Sequence, residues 1–477
     1  MFVVCPLVFT NPRLIAFKIL HYRITGNIFD WPPCFEHARG ASKAFLHIIL
    51  DGRSTDPGSA PDLLRELGGF GEQGRSALLV EGNSTFLIDY GVKKTVREGV
   101  IGELPSADIP NLDFILVTHA HQDHTAMLPL LVEKGIQVAI YATEPTKEFS
   151  ITYCKSWLEG YKNFGIEPSY RAESIEKLKD MFVTVPYYSE FSPGKNTHVT
   201  FSPSGHLAGS AILYIKDEYR IAHFGDTNFG DTLNPEPYLD FEADIGIING
   251  SYGDRVLAQP ELERKFIDYV CSSKNNLLIP AAALGRGQEI CLLLLDTRSK
   301  IDKDILVAKS IFDNAEKLLN YKEFLRDGAE ERISALLASD KLMVMANNEM
   351  EYYLRKGSIF VTPDAMLSNG KSVDILDRIK DNPDDMVILS GYLAPGTVGR
   401  RLAEGRLSIN AKVVLSELKV HTDLADNERI LQKSLSRAKL VLVHHGEEPK
   451  SSQLAGALRQ KFHIEVISPH FGDRIIL

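Results

Sequence analysis

Phe114-Ile115-Leu116-Val117-Thr118-His119-Ala120-His121-Gln122-Asp123-His124 is the stretch on which the reading of this chain turns. Its first four residues are apolar and mostly β-branched or aromatic, the composition of a short buried strand. That strand runs straight into three imidazoles and one carboxylate, His119, His121, Asp123 and His124, and a helical stretch, Met127–Glu133, follows. A single histidine beside an apolar run is usually a satisfied core or surface residue. Four ligand-type side chains at H-x-H-x-D-H spacing are not accounted for by packing. Histidine nitrogen and carboxylate oxygen are the donors that borderline ions such as zinc prefer. Alternate positions on an extended loop can converge on one ion, which leaves the adjacent Asp123-His124 pair for a second ion nearby.

Further ligand-type residues follow other strands. His206 lies in Ser204-Gly205-His206-Leu207-Ala208-Gly209-Ser210, where glycines let backbone approach a site closely. Asp226 lies in Phe224-Gly225-Asp226-Thr227, and a carboxylate there could bridge two cations. His445 lies in Val443-His444-His445-Gly446-Glu447. Each alone has an ordinary alternative as a loop or turn residue. Their common placement at strand ends, together with the first cluster, favours one shared site.

Working outward, short apolar runs alternate with helical stretches from about Gly68 on. Strands are expected at Ser76–Val80, Thr85–Asp89, Phe114–Val117, Val138–Ala142, His198–Ser202, Ala211–Ile215, Ile221–Phe224 and Asp244–Ile248, with Asp217-Glu218 as a hairpin turn. From about Pro260 the rhythm is helix, strand, helix, strand. Leu262, Phe266 and Val270 recur on one helical face. Strands are expected at Leu277–Ala281, Ile305–Ala308, Leu342–Met345, Ser358–Thr362 and Met386–Ser390. That alternation predicts an α/β chain with parallel strands and crossover helices. A mixed pattern returns at Lys412–Val420 and Lys439–His444.

Composition bounds the function. The chain has 477 residues, 44% hydrophobic and 24% charged, with 53 basic against 63 acidic residues and a net charge of −10. That balance argues against a basic coat for bulk nucleic-acid or membrane binding, but not against nucleic acid at a metal site, where the ions supply positive charge. The five cysteines (Cys5, Cys34, Cys154, Cys271, Cys291) form no C-x-x-C pair, which argues against a disulfide framework and for a reducing cytoplasm. No apolar run reaches the roughly 18 residues of a membrane-spanning helix. Met1–Phe9 reads as a strand or disordered start without signal-peptide features, and Asp51–Pro61 reads as a linker.

The motifs in order resemble the metallo-β-lactamase superfamily and, within it, the β-CASP nucleases, over residues 68 to 477. Beyond the ligand clusters, the resemblance rests on Gly68–Gly74, Leu87-Ile88-Asp89-Tyr90-Gly91, Ser251-Tyr252-Gly253-Asp254-Arg255, Pro280–Glu289 and Ser390-Gly391-Tyr392-Leu393-Ala394-Pro395-Gly396-Thr397. It implies a metallo-β-lactamase αββα sandwich interrupted by an inserted α/β β-CASP domain. The expected division is an N-terminal extension at 1–65, hydrolase at 66–255, insert at 256–406 and hydrolase again at 407–477. It also implies two divalent ions, zinc being the expected metal. One would be held by His119, His121 and His206, the other by Asp123, His124 and His445, with Asp226 shared.

By the same resemblance the activity is hydrolysis of RNA phosphodiester bonds, in processing or decay. Asp123 is assigned with the catalytic group. His421, at the second cap motif, is the general acid for the leaving 3′-oxygen. His445 at the third cap motif favours RNA over DNA. Ser390, Thr397 and Arg286 are expected to contact phosphate, with a structural ion pair weighed equally for Arg286. The sequence departs from the family at Asn249, where relatives carry a carboxylate, and at Lys419, where they carry serine. A carboxylate at 249 would sit beside His421 and favour its imidazolium. Asn249 keeps a hydrogen-bond acceptor but no charge, so a slower enzyme favoured by mildly acid pH is expected. The expected partner is a single-stranded RNA segment, with no membrane, and a homodimer is left open. Two other readings stand beside this one: a nuclease for DNA or a hydrolase of small esters, and a non-catalytic RNA- or protein-binding subunit of a processing complex. Asn249 favours the last, and the retention of all seven ligand-type residues opposes it.

Overall fold

The computed structural model of the chain describes residues 47–49, 63–97 and 100–477. The segments Met1–Phe9 and Asp51–Pro61, for which a start and a linker were expected, lie outside these residues. Within them, alternation of side chains along each strand builds two packed sheets. In strand Ala77–Glu81, Leu78 and Val80 turn toward the second sheet while Ala77 and Leu79 turn toward helices. The first sheet runs in the order His47–Ile49, Arg474–Ile476, Leu63–Gly68, Ala77–Glu81, Thr85–Ile88, Phe114–Leu116, Ala139–Ala142, Phe182–Thr184. The second runs Glu190–Gly194, Thr197–Pro203, Ala211–Lys216, Arg220–His223, Ile245–Asn249, Leu440–His444, Val466–Ile467.

Between the sheets lie Phe86, Ile88, Phe114 and Leu116 from one side and Phe201, Leu213, Ile245 and Leu442 from the other, all fully buried. Each such side chain contributes on the order of 1.5–3 kcal/mol relative to exposure. The outer faces are covered by helices Glu144–Asn163 and Ala172–Met181 on the first sheet, and by Leu424–Ser434 and Lys450–Phe462 on the second. The result is a helix–sheet–sheet–helix sandwich. Its two sheets draw strands from both ends of the chain, so the sandwich is discontinuous in sequence.

A third sheet, all parallel, interrupts it: Leu342–Val344, Ile305–Val307, Ile359–Thr362, Leu277–Pro280, Met386–Leu389, Lys412–Leu415. Its four inner strands are apolar on both faces because helices cover both, as buried parallel strands require. One face packs Ile279, Val307 and Val361 into a cluster that also holds Ala120, Leu207 and Leu233 of the sandwich. The two lobes therefore share apolar packing. They are also joined by an ion pair, Lys94 to Asp364 at 2.8 Å, and by the Val96 amide donating to the Pro395 carbonyl at 3.0 Å.

Two differences from the sequence reading concern extent. His47–Ile49 and Leu63–Gly68 pair into the first sheet, before residue 66, because the C-terminal strand Arg474–Ile476 lies between them. Lys412–Leu415 pairs with Met386–Leu389 in the third sheet, beyond residue 406. Among the described residues no helix is long and apolar enough to cross a membrane.

Candidate metal centre

The parallel order Arg220–His223, Ile245–Asn249, Leu440–His444 in the second sheet, and Thr85–Ile88, Phe114–Leu116 in the first, brings the carboxyl ends of these strands to one rim. The loops that follow carry Asp226, His445 and the run His119–His124. The Thr197–Pro203 strand delivers His206 to the same place, since the Ser204–Ser210 loop is tied back by its own Ser204 and Ser210 hydroxyls at 2.8 Å.

His119 Nε2 lies 3.3 Å from His121 Nδ1, and His206 Nε2 lies 3.1 Å from that same nitrogen. Asp226 Oδ2 is 3.6 Å from His119 Nε2 and 3.8 Å from His206 Nε2. Separations of this size let the four donor atoms converge on a single metal ion. Beside this group, His445 Nε2 faces Asp123 Oδ2 at 3.1 Å, and His124 Nε2 faces Asp226 Oδ2 at 3.6 Å. His124 Nε2 is buried without a hydrogen-bond partner, which fits a nitrogen turned toward a cation site. The sets His119/His121/His206/Asp226 and Asp123/His124/His445 are each close enough to hold an ion. His421 joins them: its Nε2 is 3.1 Å from Asp226 Oδ2, and Asp226, His421 and His445 form a third close set.

The electrostatics divide the two main sets. Burial, with neighbouring imidazoles adding to it, drives His119 and His206 well below the ordinary imidazole range and moves His121 the same way. Burial also opposes charge on His124 and His445. There the carboxylates win: Asp89 and Asp226 hold His124 well above its ordinary range, and Asp226 and Asp123 raise His445. Burial would raise Asp123 and Asp226, but His445 above all holds both below the usual carboxylate range. The carboxylates thus attract positive charge from whatever can carry it.

Several expected residues take other places. Asn249 does not pair with His421. Its Oδ1 accepts from the Ser251 amide at 2.9 Å, which turns its NH2 toward Asp226 Oδ1 at 2.8 Å and His445 Nδ1 at 3.4 Å. The cause is register: Asn249 pairs with His444 in the sheet, so it ends between Asp226 and His445, while His421 arrives from a separate segment. Arg286 has its guanidinium taken up by Glu289 at 2.6 Å and by the Leu418 and Lys419 carbonyls, which is the ion-pair alternative rather than a free phosphate contact. The Thr397 hydroxyl donates to the Ala394 carbonyl at 2.7 Å and caps the next helix. Ser390 is buried at the end of Met386–Leu389. Lys419 is paired with Asp423 and Asp426.

Sequence reasoning assigned no role to Asp89. Its carboxylate accepts from His124 Nδ1 at 2.7 Å and from the Thr118 amide and hydroxyl at 2.8 Å each, fixing which nitrogen His124 turns to the site. An acidic residue ending the apolar strand Thr85–Ile88 was the available signal. Tyr153, whose ring lies 5.8 Å from that of His121, was likewise unassigned. His119, His124, His206, Asp226 and His445 are buried, and His121 and Asp123 are partly exposed.

Comparison with known proteins bears on this centre. Residues 78–222 match the metallo-beta-lactamase superfamily domain, and residues 287–402 match the Beta-Casp domain. The transcription termination factor FttA of Pyrococcus abyssi is 28% identical over 457 residues, covering 86% of this chain and 70% of the relative. An RNase J-like protein of Methanocaldococcus jannaschii is 28% identical over 435 residues, covering 85% of this chain and 98% of the relative. A solved structure of a protein of unknown function from Enterococcus faecalis shares the fold, with a TM-score of 0.53 at 13% identity over 88% of this chain and 100% of the other.

Proposed function

We propose that this chain, a β-CASP member of the metallo-β-lactamase superfamily, is a metal-dependent ribonuclease that hydrolyses RNA phosphodiester bonds. The observation that carries the reading is the pair of adjacent sets, His119/His121/His206/Asp226 and Asp123/His124/His445, with Asp226 Oδ2 also 3.6 Å from His124 Nε2. Two divalent ions, zinc by donor type and spacing, would be held by His119, His121, His206 and Asp226, and by Asp123, His124, His445 and Asp226. When bound, they acidify water and offset charge building on the phosphate. Asp89 orients His124, and Asn249 holds Asp226 Oδ1, leaving Oδ2 toward His119, His124, His206 and His421. His421 is the group that gives a proton to the departing ribose oxygen. Ser390 remains a proposed phosphate contact.

RNA as substrate is supported by the relative named RNase J-like and by a histidine at position 445. A single strand suits a centre exposed only at His121 and Asp123. A reducing cytoplasm suits the free thiols of Cys154, Cys271 and Cys291. We place the hydrolase lobe at about 63–255 and from 416 onward, with the insert between, following the sheet memberships. Elemental analysis and cleavage of matched, labelled RNA and DNA test the reading together. The expected result is about two zinc-class ions per chain, loss of activity on chelation with recovery on adding zinc, and faster cutting of RNA. A chain that takes up no transition metal, or that prefers DNA, would contradict it.

A further inference from the structure

The segment Leu418–His421 lies between strand Lys412–Leu415 of the insert sheet and helix Leu424–Ser434, which packs on the sandwich. Every backbone polar group at its centre is held by a named side chain. The Lys419 amide donates to Gln259 Oε1 at 2.9 Å, and the Val420 amide to the Tyr252 hydroxyl at 3.1 Å. The Leu418 and Lys419 carbonyls both accept from Arg286 Nη2, at 2.8 and 3.1 Å. Arg286 is itself fixed, because Nη1 pairs with Glu289 one turn along the same helix and the side chain is 10% exposed.

The next carbonyl, that of Val420, lies 2.9 Å from His206 Nδ1. A carbonyl only accepts, so Nδ1 must carry the hydrogen, and the lone pair of the neutral ring is then on Nε2. Nε2 is the atom that His206 presents to His121 and Asp226. His124, by contrast, is oriented by Asp89, and His445 Nδ1 lies 3.3 Å from the Ser251 hydroxyl, both contacts within the sandwich. One set therefore depends on the returning segment for the orientation of one of its own rings, whereas the other meets that segment only through His421, which touches Asp226 and lies beside His445.

We propose that Arg286 is a positioning residue that ties docking of the insert to the ion site: by clamping 418–419 it sets the Val420 carbonyl that orients His206. The proposal rests on the metal reading given above. It needs the fork of a guanidinium, which spans two adjacent carbonyls while pairing with a carboxylate, a task that an ammonium point charge does less well.

The test titrates zinc into the metal-free full-length chain against a competing chelator, alongside RNA cleavage kinetics. Arg286→Ala is expected to weaken one of the two ions by about 10–100-fold, as loss of a ligand-orienting partner does, and to weaken the other distinctly less. The fall in rate should lie in kcat, with KM nearly constant, and Arg286→Lys should recover part of both losses. If Arg286→Ala does not fold, Gln259→Ala loosens the same segment and is expected to give the same selective loss at smaller size. Two wild-type affinities in the variant, equal weakening of both ions, or a raised KM with both affinities intact would each overturn the proposal, the last by making Arg286 a phosphate contact. A wild-type chain that takes up no ion overturns the metal reading and this proposal together, and the wild-type titration shows that before any variant is compared.

Discussion

The set His119/His121/His206 and the set Asp123/His124/His445 lie side by side, with Asp226 part of the first and 3.6 Å from His124 of the second, yet they are built differently. The first is three imidazoles and the Asp226 carboxylate, with burial keeping the rings neutral. The second has a carboxylate of its own and a second carboxylate, Asp89, behind it, which raise the proton affinity of His124 and His445. One set is ready to receive an ion as it stands. In the other, protons compete more strongly with an ion for the same nitrogens. His124 thus differs in proton affinity from His119 and His121 a few residues away because of what stands behind each ring.

The largest expected effect tests what the two sets share. Asp226→Ala should remove both ions and lower RNA cleavage by about 10⁴-fold, because each ion is worth several kcal/mol to the transition state. Retention of one ion at full affinity would mean that the sets are independent. A smaller effect concerns His421, which touches Asp226 but belongs to neither main set. His421→Ala should cost on the order of 10²–10³-fold in kcat, the range of a lost general acid, with metal stoichiometry intact. Loss of an ion in that variant would make His421 a ligand instead.

The smallest effect sharpens the comparison by pH. His124 and His445 have raised proton affinity, so ion binding at their set must displace protons and should weaken as pH falls toward and below neutrality. His119, His121 and His206 have lowered proton affinity, so their set should keep its affinity to lower pH. Zinc titrations at several pH values should show one affinity falling steeply and one nearly level. Parallel slopes would remove the distinction.

The departures from expectation share a cause. Strands such as Phe114–Leu116, Ala211–Lys216 and Met386–Leu389 were legible because buried apolar runs write their own pattern. The hairpin Lys93–Arg97 and Val100–Glu103 was not, since its residues are largely polar and it is held by pairing and by contacts to the insert. Asn249 was expected to face His421 and faces Asp226 and His445. Arg286 and Thr397, expected at phosphate, have their polar atoms engaged by protein groups.

What the sequence by itself determined is the inventory: an H-x-H-x-D-H run after a buried strand, three more ligand-type residues after later strands, and the alternation of strands and helices that predicts parallel strands with crossovers. These are local signals, and periodicity and spacing carry them. What only the tertiary structure decided is which atom faces which. Asp89 reaches His124, Asn249 reaches Asp226, and the Val420 carbonyl reaches His206 across long stretches of chain. Such pairings depend on strand register and on how the returning segment is clamped, and hydrogen bonds at 2.7 to 2.9 Å are set by those placements rather than by neighbours in sequence.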